Sequence, residues 1–283
     1  MSRNDHLIGV SELATQIGAN TVRVVDASWH LPTTGRDAKA EYRTAHIPGA
    51  VFFDIDAIAD HETSLPHMMP TPAAFATAMG SLGLTQDDDI VIYDSLGLMS
   101  AARVWFMLRA MGATKVRVLD GGLPAWIREG QPTESGEIAP EARSFDARPD
   151  SHLFASIEDV ADALNDPGIA VVDARSEGRF AGSVPEPRPG LRSGHMPGAR
   201  NLPFDCLTDA DGYVLDDRAL RAALAEAGIA DNADVITSCG SGVTAAVISL
   251  ALAVLGRSSR VYDGSWAEWG AADEMPIDTG PAR

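Results

Sequence analysis

Cys239 opens the segment Cys239-Gly240-Ser241-Gly242-Val243-Thr244, set between a β-branched run at 235–238 and an apolar helical stretch at 243–255. Small residues there let consecutive backbone N–H groups turn inward, and such a loop at a helix N-terminus cradles an anion. A cysteine in that setting is favoured as the thiolate, the form a sulfur nucleophile needs. Three other readings compete. Cysteine is often plain core, and Cys206, with no glycine or helix start beside it, reads that way. The run Gly240 to Ala245 also fits the dinucleotide pattern G-x-G-x-x-A, with Asp263 ending the next strand. Only 20 residues follow Asp263, too few to complete a nucleotide-binding sheet. A cysteine phosphatase needs an arginine after five intervening residues to grip phosphate, and that position is Ala245.

The elements that must position this loop come in two sets. Val24-Val25-Asp26-Ala27 recurs as Val171-Val172-Asp173-Ala174, and His46-Ile47-Pro48-Gly49-Ala50 as His195-Met196-Pro197-Gly198-Ala199. Asp120-Gly121 with Trp126 recurs as Asp263-Gly264 with Trp269. Markers in one order at near-constant spacing indicate a duplicated domain. The reading divides the chain into 1–135, a Pro/Gly/Ser/Glu-bearing linker at 136–152, and 153–283. Strands are expected near 22–25, 50–53, 90–93 and 116–119, and again near 169–172, 199–202, 235–238 and 260–262. Helical stretches, such as 101–111 and 243–255, alternate with them. That alternation predicts α/β domains, each a mainly parallel sheet flanked by helices, with ligands beyond the carboxyl ends of the strands.

Composition narrows the function classes. The chain has 283 residues, 45% of them hydrophobic, enough for a sizeable core. A net charge of −18 argues against nucleic acid and anionic membranes as partners. Any anion must be held by local arginines or backbone N–H groups against that field. Two cysteines make neither a disulfide framework nor a zinc site, and no metal or organic cofactor is expected. A reducing, cytoplasmic setting follows from that usage and from an N-terminal segment without an apolar core. Residues 235–256 carry no formal charge, near the length of a membrane span, but their Gly, Ser, Thr and Cys belong to a strand–loop–helix unit.

Taken together, these residues resemble the rhodanese superfamily, in the branch of 3-mercaptopyruvate sulfurtransferases. The resemblance runs from Asp26-Ala-Ser-Trp29 to Asp263-Gly-Ser-Trp266-Ala-Glu-Trp269, with CGSGVT its most specific segment. It implies two tandem rhodanese-like domains, of which only the second keeps the cysteine. The first-half counterpart, Asp94 to Ser100, indeed has none. It further implies Cys239 as the nucleophile that carries sulfur as a persulfide, within the loop residues Gly240, Gly242, Val243 and Thr244. Arg179 and Arg188 resemble the two donor-binding arginines, and a guanidinium suits a carboxylate beside a carbonyl. Ser241, His67 and Asp56 resemble a proton relay, the latter two coming from the half without the cysteine.

Thiosulfate sulfurtransferases, the sister branch, typically carry CRKGVT, so Gly240 and Ser241 favour mercaptopyruvate as donor. Implied acceptors are a thiol, thioredoxin or cyanide. A monomer is expected, because the duplicated domains already form a pseudo-dimer. The alternatives are a thiosulfate enzyme and a non-catalytic sulfur carrier or redox sensor, for which only Cys206 could act as resolving cysteine. Solvated arginines in a Pro-rich loop are the bland reading of Arg179 and Arg188. His46 and His195 recur in equivalent turns and read as structural, as do Trp126, Trp266 and Trp269.

Overall fold

The structure, a computed structural model, describes residues 2–19 and 21–282. It resolves into two compact units. The first contains strands β1 (Leu7–Ile8), β2 (Arg23–Asp26), β3 (Val51–Phe52), β4 (Ile90–Tyr93) and β5 (Val116–Leu119). The second contains β6 (Phe154–Ala155), β7 (Ile169–Asp173), β8 (Arg200–Asn201), β9 (Asp234–Ser238) and β10 (Arg260–Tyr262). Each sheet is five-stranded and wholly parallel, in the orders β1-β5-β4-β2-β3 and β6-β10-β9-β7-β8.

The expected strands are all present; the β-branched runs of β2, β4, β5, β7, β9 and β10 suit strands that are largely buried, whereas the edge strand β8 (Arg200–Asn201) is only half-buried and has no β-branched residue. Two were not expected: β1 and β6 are two residues long and add parallel to β5 and β10. Runs that short carry no periodic signal. Helix Ser100–Ala110 follows the loop after β4, and helix Ala245–Val254 follows the loop after β9. The second starts two residues later than the sequence suggests, because Val243 and Thr244 still belong to the loop. It is apolar all round and buried along almost its whole length, as a core helix should be. Among the described residues, no helix is long and apolar enough to cross a membrane.

Repeat equivalence is exact in register: Asp26 pairs with Tyr93, and Asp173 with Ser238. Asp94 and Cys239 are therefore equivalent positions, each the first residue beyond its central strand. His46 and His195 staple equivalent turns. Their Nδ1 atoms bond the carbonyls of Tyr42 and Phe180 at 2.8 and 2.9 Å, and each ring stacks on that aromatic. The indoles of Trp126 and Trp269 donate to the Pro132 and Pro276 carbonyls, closing each helix onto its following turn.

The compact units are not simple halves of the chain. Residues 62–68 belong to the second unit and 208–214 to the first. The two segments are repeat equivalents, so each half supplies the other's unit with the same short piece. Residues 69–150, including the stretch from Gly136 onward, belong to the first unit.

Candidate active site

In the second unit, β9 delivers Cys239 to the mouth of helix Ala245–Val254, with the residue only 2% exposed. Ser265 holds the loop in shape. Its hydroxyl accepts the N–H groups of Cys239 and Gly242, both at 3.1 Å, and donates to the Tyr262 carbonyl at 2.8 Å. One hydroxyl thus uses its hydrogen and both lone pairs. Ser265 is fully buried and sits at φ 51°, strain that a non-glycine residue bears only where its surroundings fix it. The Trp266 and Ala267 N–H groups then bond the carbonyls of Cys239 and Gly240 at 3.0 and 2.9 Å. Gly242 turns the loop at φ 77°.

With the loop clamped from behind, the N–H groups of Gly240, Ser241, Val243 and Thr244 bond no protein acceptor among the described residues. Buried backbone donors without a protein partner are uncommon and mark a place for a negative charge.

Ser241, 5% exposed, lies at the junction of two further groups. His67 Nδ1 is 2.9 Å from its hydroxyl, and Arg188 Nη2 donates to the same oxygen at 3.3 Å. The hydroxyl can accept from the guanidinium and give its own hydrogen to the imidazole. His67 is buried, at φ 60°, in the segment that the first half contributes to this unit. Asp56 belongs to the first unit, on the short helix Ile55–Ile58, and accepts the Trp29 indole N–H at 3.0 Å.

Arg179 approaches the loop at Gly240. A methyl group added there would lie 2.9 Å from Arg179 Nη2, so glycine leaves the guanidinium its room. Arg179 is held by Glu186, at 2.5 Å to Nη2 and 3.3 Å to Nε. The Glu186 side chain is 2% exposed and also binds Arg175 Nη1 at 2.7 Å. Arg175, fully buried, chelates Asp173 and lies over the Trp266 ring at 4.2 Å.

Ser265 and Glu186 were missed by sequence reasoning. Ser265 could have been flagged as the polar residue following a recurrent Asp-Gly turn. Glu186 carried the only weak signal of an acid between Arg179 and Arg188. Cys206 is exposed, and partial burial together with Asp205, Glu177 and Glu226 pushes its thiol up. That makes it a poor resolving thiol and weighs against the sensor reading.

The description "Rhodanese-like domain" matches residues 9–129 and again 156–272. The chain belongs to the rhodanese family. It is 41% identical over 273 residues to the 3-mercaptopyruvate sulfurtransferase of Escherichia coli (strain K12), covering 96% of this chain and 97% of that protein. It is 38% identical over 301 residues to the mitochondrial thiosulfate/3-mercaptopyruvate sulfurtransferase 1 of Arabidopsis thaliana, covering 99% and 79%. The crystal structure of SseA from Escherichia coli, described as a 3-mercaptopyruvate sulfotransferase of rhodanese fold, is similar with a TM-score of 0.85. There the identity is 40%, with 92% of this chain and 98% of that chain covered. The family description thus matches twice along the chain, once in each half.

Proposed function

We infer that this rhodanese-family chain is a 3-mercaptopyruvate sulfurtransferase working through a persulfide on Cys239. The observation that carries the mechanism is the buried loop with its open N–H groups, next to the His67–Ser241–Arg188 cluster.

Arg188 and Arg179 bind the donor's carboxylate and keto oxygen, Glu186 keeping the second guanidinium in place. The Cys239 thiolate attacks the donor's sulfur, and an S–S bond forms as the C–S bond breaks. The C–S electron pair moves into the donor carbon as the enolate of pyruvate. Ser241, backed by His67, delivers the proton that carbon takes up, a contribution of about 10²–10⁴-fold for general acid catalysis. The N–H groups of Gly240, Ser241, Val243 and Thr244 stabilise the anionic persulfide. A thiophilic acceptor (a thiol, thioredoxin or cyanide) then attacks the outer sulfur and returns the thiolate, giving ping-pong kinetics. The proposed setting is the cytoplasm, where such a thiol stays reduced, and the proposed functional form is a monomer.

The test is intact mass after brief incubation with 3-mercaptopyruvate, with pyruvate measured in the same sample. A gain of one sulfur atom, reversed by dithiothreitol and absent in Cys239→Ser, supports the reading. No gain, or a gain retained in Cys239→Ser, overturns it. Thiosulfate runs in parallel, because one relative is named for both donors. Faster loading from thiosulfate would reassign the donor.

A further inference from the structure

In the second unit the buried carboxylate Asp173 has its cation built in. Arg175, two residues on, fills the space beyond the strand ends, bonding Asp173, Glu186 and the Gly194 carbonyl and stacking on Trp266. The first unit repeats the frame without the arginine. Asp26 stands for Asp173, and the same turn forms: the N–H two residues on donates to the aspartate Oδ1 at 2.9 Å in both units. That residue is Ser28 where the second unit has Arg175. Leu123 stands for Trp266, each donating its N–H to the carbonyl that ends the central strand's turn, Asp94 or Cys239. Ala45 stands for Gly194, just before the equivalent histidines.

Asp26, Ser28, Ala45 and Leu123 all line one cavity of about 560 Å³, entirely within the first unit. That volume lies within the range of small-molecule pockets, about 300–1,000 Å³. Glu41 and Asp37 supply further carboxylates to its wall, and Tyr42, Pro124 and Ile127 supply apolar surface, Ile127 being 53% exposed. Arg36, also on the wall, is already committed to Glu41 through two bonds of 2.8 and 2.6 Å. No cation pairs with Asp26 among the described residues. Ser95 adds a buried hydroxyl oxygen with no hydrogen-bond partner.

We propose that this cavity is a second ligand site, which takes a small molecule bearing a guanidinium group on a short apolar tail. The guanidinium occupies the place that the Arg175 side chain takes in the other unit, against Asp26, and the tail lies along Leu123 and Ile127. Burial pushes the Asp26 carboxyl up, and no arginine pulls it back, so an incoming planar cation meets a carboxylate that gains from it. The chain's net charge of −18 draws such a cation in.

Calorimetric titration of the whole chain with N-propylguanidine tests this, with N-propylurea as the neutral isostere. Binding at one site per chain is expected, at least about tenfold tighter than the urea, since one lost ionic contact is worth about tenfold or more. Asp26→Asn, which keeps the Oδ1 turn, is expected to weaken it about tenfold or more. Ser28→Arg places the repeat's own guanidinium in the cavity and is expected to abolish binding, with circular dichroism confirming the fold. Equal binding of guanidine and urea, no binding of either, or unchanged binding in a folded Ser28→Arg overturns the proposal.

Discussion

Beyond the central strand of each unit runs a loop of the same length, and the two loops use the same backbone for opposite ends. In the first unit the leading residue is Asp94. Its carboxylate accepts the N–H groups of Leu96 and Ala101 at 2.9 Å and of Met99 at 2.7 Å. In the second unit the leading residue is Cys239, and Ser241 and Thr244 occupy the places of Leu96 and Met99. Their N–H groups face no protein acceptor among the described residues. Gly97 and Gly242 make the same left-handed turn. Asp94 thus shows within this molecule what the loop's N–H groups hold, a buried oxygen acceptor. One unit satisfies the loop with a fixed side chain, and the other leaves its N–H groups open beside Cys239, where the proposed mechanism puts the persulfide.

The supporting pieces differ in the same sense. The visiting segment of the second unit brings His67 to Ser241. Its equivalent in the first unit brings Gly212 and Tyr213 against Gly97 and Gly121, and its Val214 N–H bonds Asp120 at 2.7 Å. The first places an imidazole on the loop's hydroxyl, whereas the second packs Gly212 on its loop and gives a backbone N–H to Asp120. Identical topology therefore leaves catalysis to side chains at a few equivalent positions.

The largest expected effect falls on Cys239, the proposed nucleophile. Cys239→Ser should lower pyruvate release by at least about 10³-fold, measured as kcat/KM, since nothing else in the loop can take up sulfur. The converse sharpens the comparison. Asp94→Cys in a Cys239→Ser background should gain no sulfur from 3-mercaptopyruvate, because that loop lacks counterparts of Ser241, His67 and Arg188; mass spectrometry reads this directly. Persulfide formation there would show the cradle alone to be sufficient.

Next in size, Ser241→Ala removes the oxygen shared by His67 and Arg188 and should lower kcat by roughly 10²-fold. Stopped-flow pyruvate release separates this step from acceptor turnover. Ser265→Ala leaves two N–H groups of the loop without their acceptor and should cost about 1–3 kcal/mol of stability, read by urea unfolding. An unchanged midpoint would mean the loop is held by the strand and helix ends alone.

The smallest effect concerns the two buried aspartates. Burial raises the Asp26 carboxyl, so the folded chain binds that proton more tightly than the unfolded one. Its stabilising contribution is complete below the unfolded value of 3.8 and is lost as pH rises through the raised folded value. Asp26→Asn should therefore raise the melting temperature at pH 7, and the gain should shrink as pH falls toward 4. The matching Asp173→Asn strips Arg175 of its chelating partner and should lower the melting temperature at neutral pH. Equal responses at the two positions would contradict the difference between the units.

Much of this molecule was legible in its residue order. The recurrence of Val-Val-Asp-Ala and His-x-Pro-Gly-Ala markers revealed the duplication, which also located the edge strands β3 and β8, and β-branched runs marked the other six expected strands, because those signals are local. CGSGVT marked the loop, since small residues before an apolar helix constrain the backbone within a few positions. Tertiary structure alone decided the rest. The strands Leu7–Ile8 and Phe154–Ala155 exist only because β5 and β10 offer them an edge. The exchange of residues 62–68 and 208–214 places His67 in the unit of Ser241, 174 positions away in the chain. Ser265 gains its hold on a loop 26 positions back, and Glu186 its grip on Arg175 and Arg179, 11 and 7 positions back, only once the backbone between them has folded round. Hydrogen bonds of that kind depend on distances in space, and a chain of residue types carries no record of them until it folds.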